Sequence, residues 1–209
     1  MAERQRIPVN PGRVEWSGDN PGIYLKDSAD GDWTSLAVCF RVTLSPHGRG
    51  RAMVVLGNPN VADGHPTADN LCITDNPGLF AYLKSDFLSH FPTFQGRESL
   101  LQAPVLPMSA CRTEGDLSGA YSEIMECDDL VLRMTWREIG KPFAVEVGPD
   151  LCATKRHDMY SLFMEARAAE IAINDRLLPG RAFTRPFFGR ETSTAFLAFS
   201  ETWVTPNGP

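Results

Sequence analysis

The sequence predicts a mainly β protein: an antiparallel β-barrel or two-sheet β-sandwich with one covering α-helix at about residues 77–91. Three observations carry that reading. Apolar runs rich in β-branched and aromatic residues follow one another through the C-terminal half. The polar segments between them are too short for crossover helices, so successive strands should pair antiparallel. A single stretch, ending in F-A-Y-L-K-S-D-F-L-S-H-F, shows a clear helical period.

Residues 1–33 are rich in Pro, Gly, Asp and Asn, with N-P-G turns at Asn10–Gly12 and Asn20–Gly22, and read as an extended arm packing on a single β-rich domain, 34–209. Within the arm, Val14–Trp16 and Ile23–Leu25 alternate as short edge strands do. From Ser35, S-L-A-V-C-F-R-V-T-L, a loop holding Gly48 and Gly50, and A-M-V-V-L-G-N-P outline a hairpin. Phe80, Leu83, Phe87 and Phe91 then recur at helical spacing; Asp75 or Asn76 can cap the helix, Pro77 suits its first turn, and Pro92 stops it. Beyond Gln102 four strand candidates follow, joined at Glu114–Asp116, Cys127–Asp129 and Ile139–Pro142, each read as a hairpin connection. Residues 158–170 suit either period, since Met159, Leu162, Phe163 and Ala166 also fit a helical face. The alternation of Tyr160, Leu162 and Met164 and the turn-like N-D-R favour two strands.

At 209 residues, with 43% hydrophobic and 22% charged residues, the chain suits one sizeable folded domain. A net charge of −6 with scattered Lys and Arg argues against nucleic acid as a partner. No secretory signal and no run long enough to span a membrane is apparent, so the expected address is the cytosol without membrane attachment. The five cysteines, Cys39, Cys72, Cys111, Cys127 and Cys152, lack any C-x-x-C pair and read as reduced thiols packed as small hydrophobes. No metal spacing, phosphate loop or dinucleotide fingerprint occurs, so no cofactor can be named.

The chemistry-bearing candidates are few. In S-T-A-F-L-A-F-S-E-T-W-V, Glu201 falls in line with Leu197, Phe199 and Trp203. A carboxyl group in such a run needs a partner, in a buried ion pair or as one polar group of an apolar ligand cavity. Glu123, Glu146 and Glu165 also lie on strands, where they either converge with Glu201 on one cavity, raise one another's pKa and serve as acid and base, or pair across strands with Arg133, Arg112 or Arg167 on the water-facing side. Among the histidines, His47 reads as part of a solvated turn, His65 with Asp63 and Asp69 as a polar loop, and His90 as a helix end. His157, in K-R-H-D-M-Y at a strand entrance, is the best placed for acid–base work beside Asp158. Phe187 and Phe188 in R-P-F-F-G-R can dock on the core, cover a pocket or meet a partner.

The leading functional expectation is binding of a small, largely apolar molecule within or at the mouth of the sheet, lined by Glu123, Trp136, Tyr160, Glu201 and Trp203. Two alternatives stand beside it. One is a hydrolase or isomerase using His157 with Asp158 or a strand glutamate, and the other an interaction or homo-oligomer scaffold using Phe187 and Phe188.

Overall fold

A computed structural model describes residues 12–61 and 69–207. Its first third holds β1 (Gly12–Asp19), β2 (Gly22–Lys26), β3 (Trp33–Leu44), β4 (Gly50–Leu56) and β5 (Asn70–Thr74). A helical segment follows: α1 (Pro77–Asp86), a 3-10 turn at Leu88–His90, and α2 (Glu98–Gln102). Then come β6 (Val105–Pro107), β7 (Ala110–Gly115), β8 (Ala120–Cys127), β9 (Leu130–Ile139), β10 (Phe143–Val147) and β11 (Asp158–Ile173). The chain continues through β12 (Arg176–Leu177), β13 (Thr184–Phe187), β14 (Arg190–Ser193) and β15 (Ala195–Pro206). The fold is mainly β, as expected, and no helix among the described residues is long and apolar enough to cross a membrane.

Thirteen strands form one sheet in the order β6-β5-β4-β3-β1-β15-β11-β9-β8-β7, with β2 bridging β3 and β15 and with β10 and β12 on β11. Every pairing is antiparallel except that of β5 with β6. The sheet bends until its wings face each other. Trp136 on β9 donates from Nε1 to the Gly22 carbonyl at 3.2 Å, and Arg41 on β3 reaches Glu123 on β8. One extended segment then serves both edges: β6 pairs with β5, Met108 donates to Thr74 at 2.9 Å, Ser109 donates to Glu126 at 2.8 Å, and β7 pairs with β8. Backbone groups that would stand open at either edge are thereby satisfied.

Two cores result, one on each face. Between the wings lie Ile23, Cys39, Met53, Trp136 and Leu197, and against the opposite face pack Trp16, Phe40 and Val54 under the helical segment. Burial on both faces accounts for the near-continuous apolar runs of β3 and β4, where alternation is weak. In α1 the Asn76 side chain accepts from Leu79 N, Pro77 opens the first turn, and Leu79, Phe80 and Leu83 are buried. The α-helix ends at Asp86 rather than near 91, because Phe87 leaves helical geometry, and the 3-10 turn completes the covering segment.

Val14–Trp16 pairs on one side only, with β15, as an edge does, while the end of the same strand, Ser17–Asp19, is also paired with β3. Other local expectations need correction. Ile139–Pro142 joins no hairpin, since β9 and β10 run one after the other along the same side of β11, with Gly140 donating to Glu165 O at 2.8 Å. Residues 158–170 belong to one 16-residue strand, β11. Its hairpin turn comes later, at Asn174 and Asp175 with φ of 47° and 63°, the paired left-handed geometry that a two-residue turn demands. None of the five cysteines is paired; four are buried and Cys111 is half-buried.

Candidate functional site

The site begins with an irregularity in β15. Tyr160 pairs with Thr202 and Leu162 with Phe199, so β15 carries one residue more than β11 over the same span. Ser200, with φ of 51°, sits at this bulge, and its N–H donates to Asp19 Oδ1 at 2.9 Å. An extra residue reverses the facing of everything beyond it. Leu197 and Phe199 therefore point to the core between the wings, while Trp203 joins Phe196 and Ala198 on the opposite face. The sequence alignment of Glu201 with Leu197 and Phe199 is corrected accordingly: Glu201 and Trp203 stay together, and the two earlier residues part from them.

A cavity of about 380 Å³ opens on that face, bounded by Asn20, Tyr24, Phe91, Met159, Phe163, Arg185, Phe187, Phe196, Glu201 and Trp203, with the Val147–Ala153 region closing one side. Leu151 and Phe188 are the exposed apolar members of its wall and mark its mouth. The walls are aromatic and mutually braced. Phe163 stacks on Phe196 at 4.9 Å, Phe196 meets Tyr24 edge-on at 5.4 Å, and Trp203 stacks on Phe91 at 5.9 Å. One flank is the hairpin β13–β14, paired only with itself, whose tip Phe188–Gly189 has positive φ at both residues. Phe187 from this hairpin lies 4.7 Å from Phe163.

Two ionisable groups, a carboxyl and a guanidinium, and one amide interrupt the apolar wall. Glu201 is 3% exposed, and its Oε1 accepts from Trp203 Nε1 at 2.7 Å and from Asn20 Nδ2 at 3.1 Å. Burial pushes its carboxyl up to about 7, against the opposing pull of those donors and the Ser161 hydroxyl. Near neutrality it is a group that can hold or release a proton. Asn20 Oδ1 is buried without a hydrogen-bond partner. Arg185 extends its guanidinium between the rings of Phe187, Phe196 and Tyr24, and its Nε is likewise buried without a partner.

Of the five residues expected to line a cavity, Glu201 and Trp203 do. Glu123 does not. It is buried between the wings, where it accepts from the Tyr121 and Thr113 hydroxyls and pairs with Arg41 at 3.5 Å. Trp136 fills the same inner core, and Tyr160 is half-buried on β11 opposite Thr202 and Glu146. Arg112 and Arg133, the expected cross-strand partners, pair instead with Glu114, and Arg112 also with Glu126. Glu146 is exposed and Glu165 half-buried.

His157 is buried beside the cavity rather than in its wall. Its Nδ1 shares a 2.8 Å hydrogen bond with Thr154 Oγ1, its ring stacks on Phe87 at 5.1 Å, and burial followed by the nearby Arg156 charge lowers its pKa. No hydrogen bond joins it to Asp158. It borders a separate polar recess of about 360 Å³ with Glu15, Tyr82, Asp86 and Arg156. Glu15 sits at the register shift of β1 and accepts from Tyr82, Thr205 and Arg13. Burial would raise its pKa, but those bonds together hold it low. His47 and His90 are exposed, while His65 and Asp63 lie outside the described residues.

Asn20, Tyr24 and Arg185 escaped the sequence reading because each lies in or beside a turn-rich stretch far from Glu201 in the chain. The R-P-F-F-G-R signal came nearest, since Arg185 is its first residue. Fold and site together define a mainly β protein with an aromatic cavity holding one carboxyl and one guanidinium group. No protein-family model, curated protein or solved structure matches the chain.

Proposed function

We propose that this protein binds a small, largely apolar molecule in the cavity beside Glu201. One observation carries the proposal: a cavity of about 380 Å³ with aromatic walls also holds buried polar atoms, Asn20 Oδ1 and Arg185 Nε, whose hydrogen bonds are unmade. Small-molecule sites are mostly apolar, of roughly 300–1,000 Å³, with a few polar groups fixing orientation. Buried polar groups in native proteins nearly always have partners, and a bound ligand is one way to supply them. The five unpaired cysteines suit a reducing compartment such as the cytosol.

Titration with 4-phenylbutanol, followed by calorimetry, tests the reading. Binding with an affinity of about millimolar or tighter is expected for a ligand of this size. Ala153→Trp, which places an indole inside the cavity wall, should abolish it while leaving thermal stability near that of the parent. Equal binding to both proteins, or none to either, would remove the proposal.

A further inference from the structure

Resting on that reading, we infer that the ligand of this cavity carries a single carboxylate, held by Arg185. Seven arginines in the described residues form ion pairs: Arg13, Arg41, Arg112, Arg133, Arg137, Arg156 and Arg176. Arg185 is not among them, although it is half-buried. Its guanidinium is held by π faces alone, 5.1 Å from the Phe187 centroid, 5.2 Å from Phe196 and 5.5 Å from Tyr24. No acceptor takes its Nε–H, so a donor edge is available to a planar carboxylate, which a guanidinium can hold through two parallel bonds. A permanently charged group partly withdrawn from water without a counter-ion is costly, so a ligand anion would gain what the protein withholds.

The nearest carboxyl group in the same wall does not fill this role. Glu201 is committed to Asn20 and Trp203 and forms no ion pair with Arg185. Its presence also limits the charge the cavity accepts. The lining holds one cation and no lysine, so a phosphate dianion would meet too little positive charge and one potential negative neighbour. A monoanion with an apolar body fits: the head on Arg185, the body along Phe163, Phe196 and Trp203. The flanking β13–β14 hairpin brings Arg185 and Phe187 to the cavity together, so head and body contacts form on one element.

The test compares 4-phenylbutanoate with 4-phenylbutanol by calorimetry on the intact chain, on Arg185→Gln and on Arg185→Lys. In the parent the acid should bind about tenfold or more tightly than the alcohol, as a charge-assisted pair in a dry site supplies. The preference, read as the ratio of acid to alcohol affinity within each protein, should vanish in R185Q and be reduced in R185K, which keeps the charge but loses the fork. If the alcohol binds the parent and the acid binds no better, the carboxylate inference fails and the apolar site stands. If neither binds, both fail. A tenfold preference that survives in R185Q would assign the anion to another group and overturn the inference, and the parent ratio decides even if a variant misfolds.

Discussion

Trp203→Ala should lower the stability of this protein by about 3–5 kcal/mol, the range for removing a large buried aromatic side chain. The indole is 3% exposed and sits at a junction: it stacks on Trp16 at 6.2 Å and on Phe91 at 5.9 Å, and meets Phe87 edge-on at 5.2 Å. Its loss would also take a donor from Glu201, so packing and polar effects should be separated. Trp203→Phe keeps one aromatic ring while losing the second ring together with the Nε1–H, at an expected cost of about 1–3 kcal/mol, smaller than that of the Ala variant. Urea denaturation of the three proteins measures both steps. A loss below about 1 kcal/mol for the Ala variant would mean that the residue is not a packing junction between the sheet and the helical segment.

Glu201→Gln should change stability in a pH-dependent way. The folded protein holds the Glu201 carboxyl near 7 against an ordinary 4.5, so the native state binds more protons than the unfolded chain between those values. Stability from this residue is complete below about 4.5 and is lost as pH rises toward about 7; above that it stays low. The full difference is about 3 kcal/mol. Gln keeps the acceptor for Trp203 and Asn20, and its amide can donate to the unpartnered Asn20 Oδ1. The variant should match the parent in mild acid and exceed it above neutrality by up to about that amount. Denaturation midpoints across this range measure the gap. A constant gap, or one that closes as pH rises, would show that Glu201 ionises freely in the native state.

How far the site was legible depends on which physical signal each residue leaves in the chain. Hairpin chemistry and the length of apolar runs revealed the β class, and the interrupted run at Glu201 and Trp203 marked two residues of the cavity wall. The facing of Glu201 was hidden. A period of two assigns faces only while the strand is regular, and nothing in F-L-A-F-S-E-T-W signals that Ser200 is an extra residue. The same blindness made Ile139–Pro142 look like a hairpin turn, when the chain merely bends along β11. Glu123 was placed wrongly because its counter-charge, Arg41, comes from the opposite wing, 82 residues away. Arg185 and Asn20 left no pattern of their own. They matter only because the bent sheet and the β13–β14 hairpin bring them to one cavity.

The bulge at Ser200 turns Glu201 into the wall of the cavity that we propose holds a ligand. Carbon-13 NMR of protein labelled at the glutamate side-chain carboxyls, with E201Q to assign the resonance, tests it most directly. The Glu201 signal should titrate near 7, well above the other glutamates, and shift when 4-phenylbutanol is added. A Glu201 signal that titrates with ordinary carboxylates and ignores the added alcohol would contradict the account.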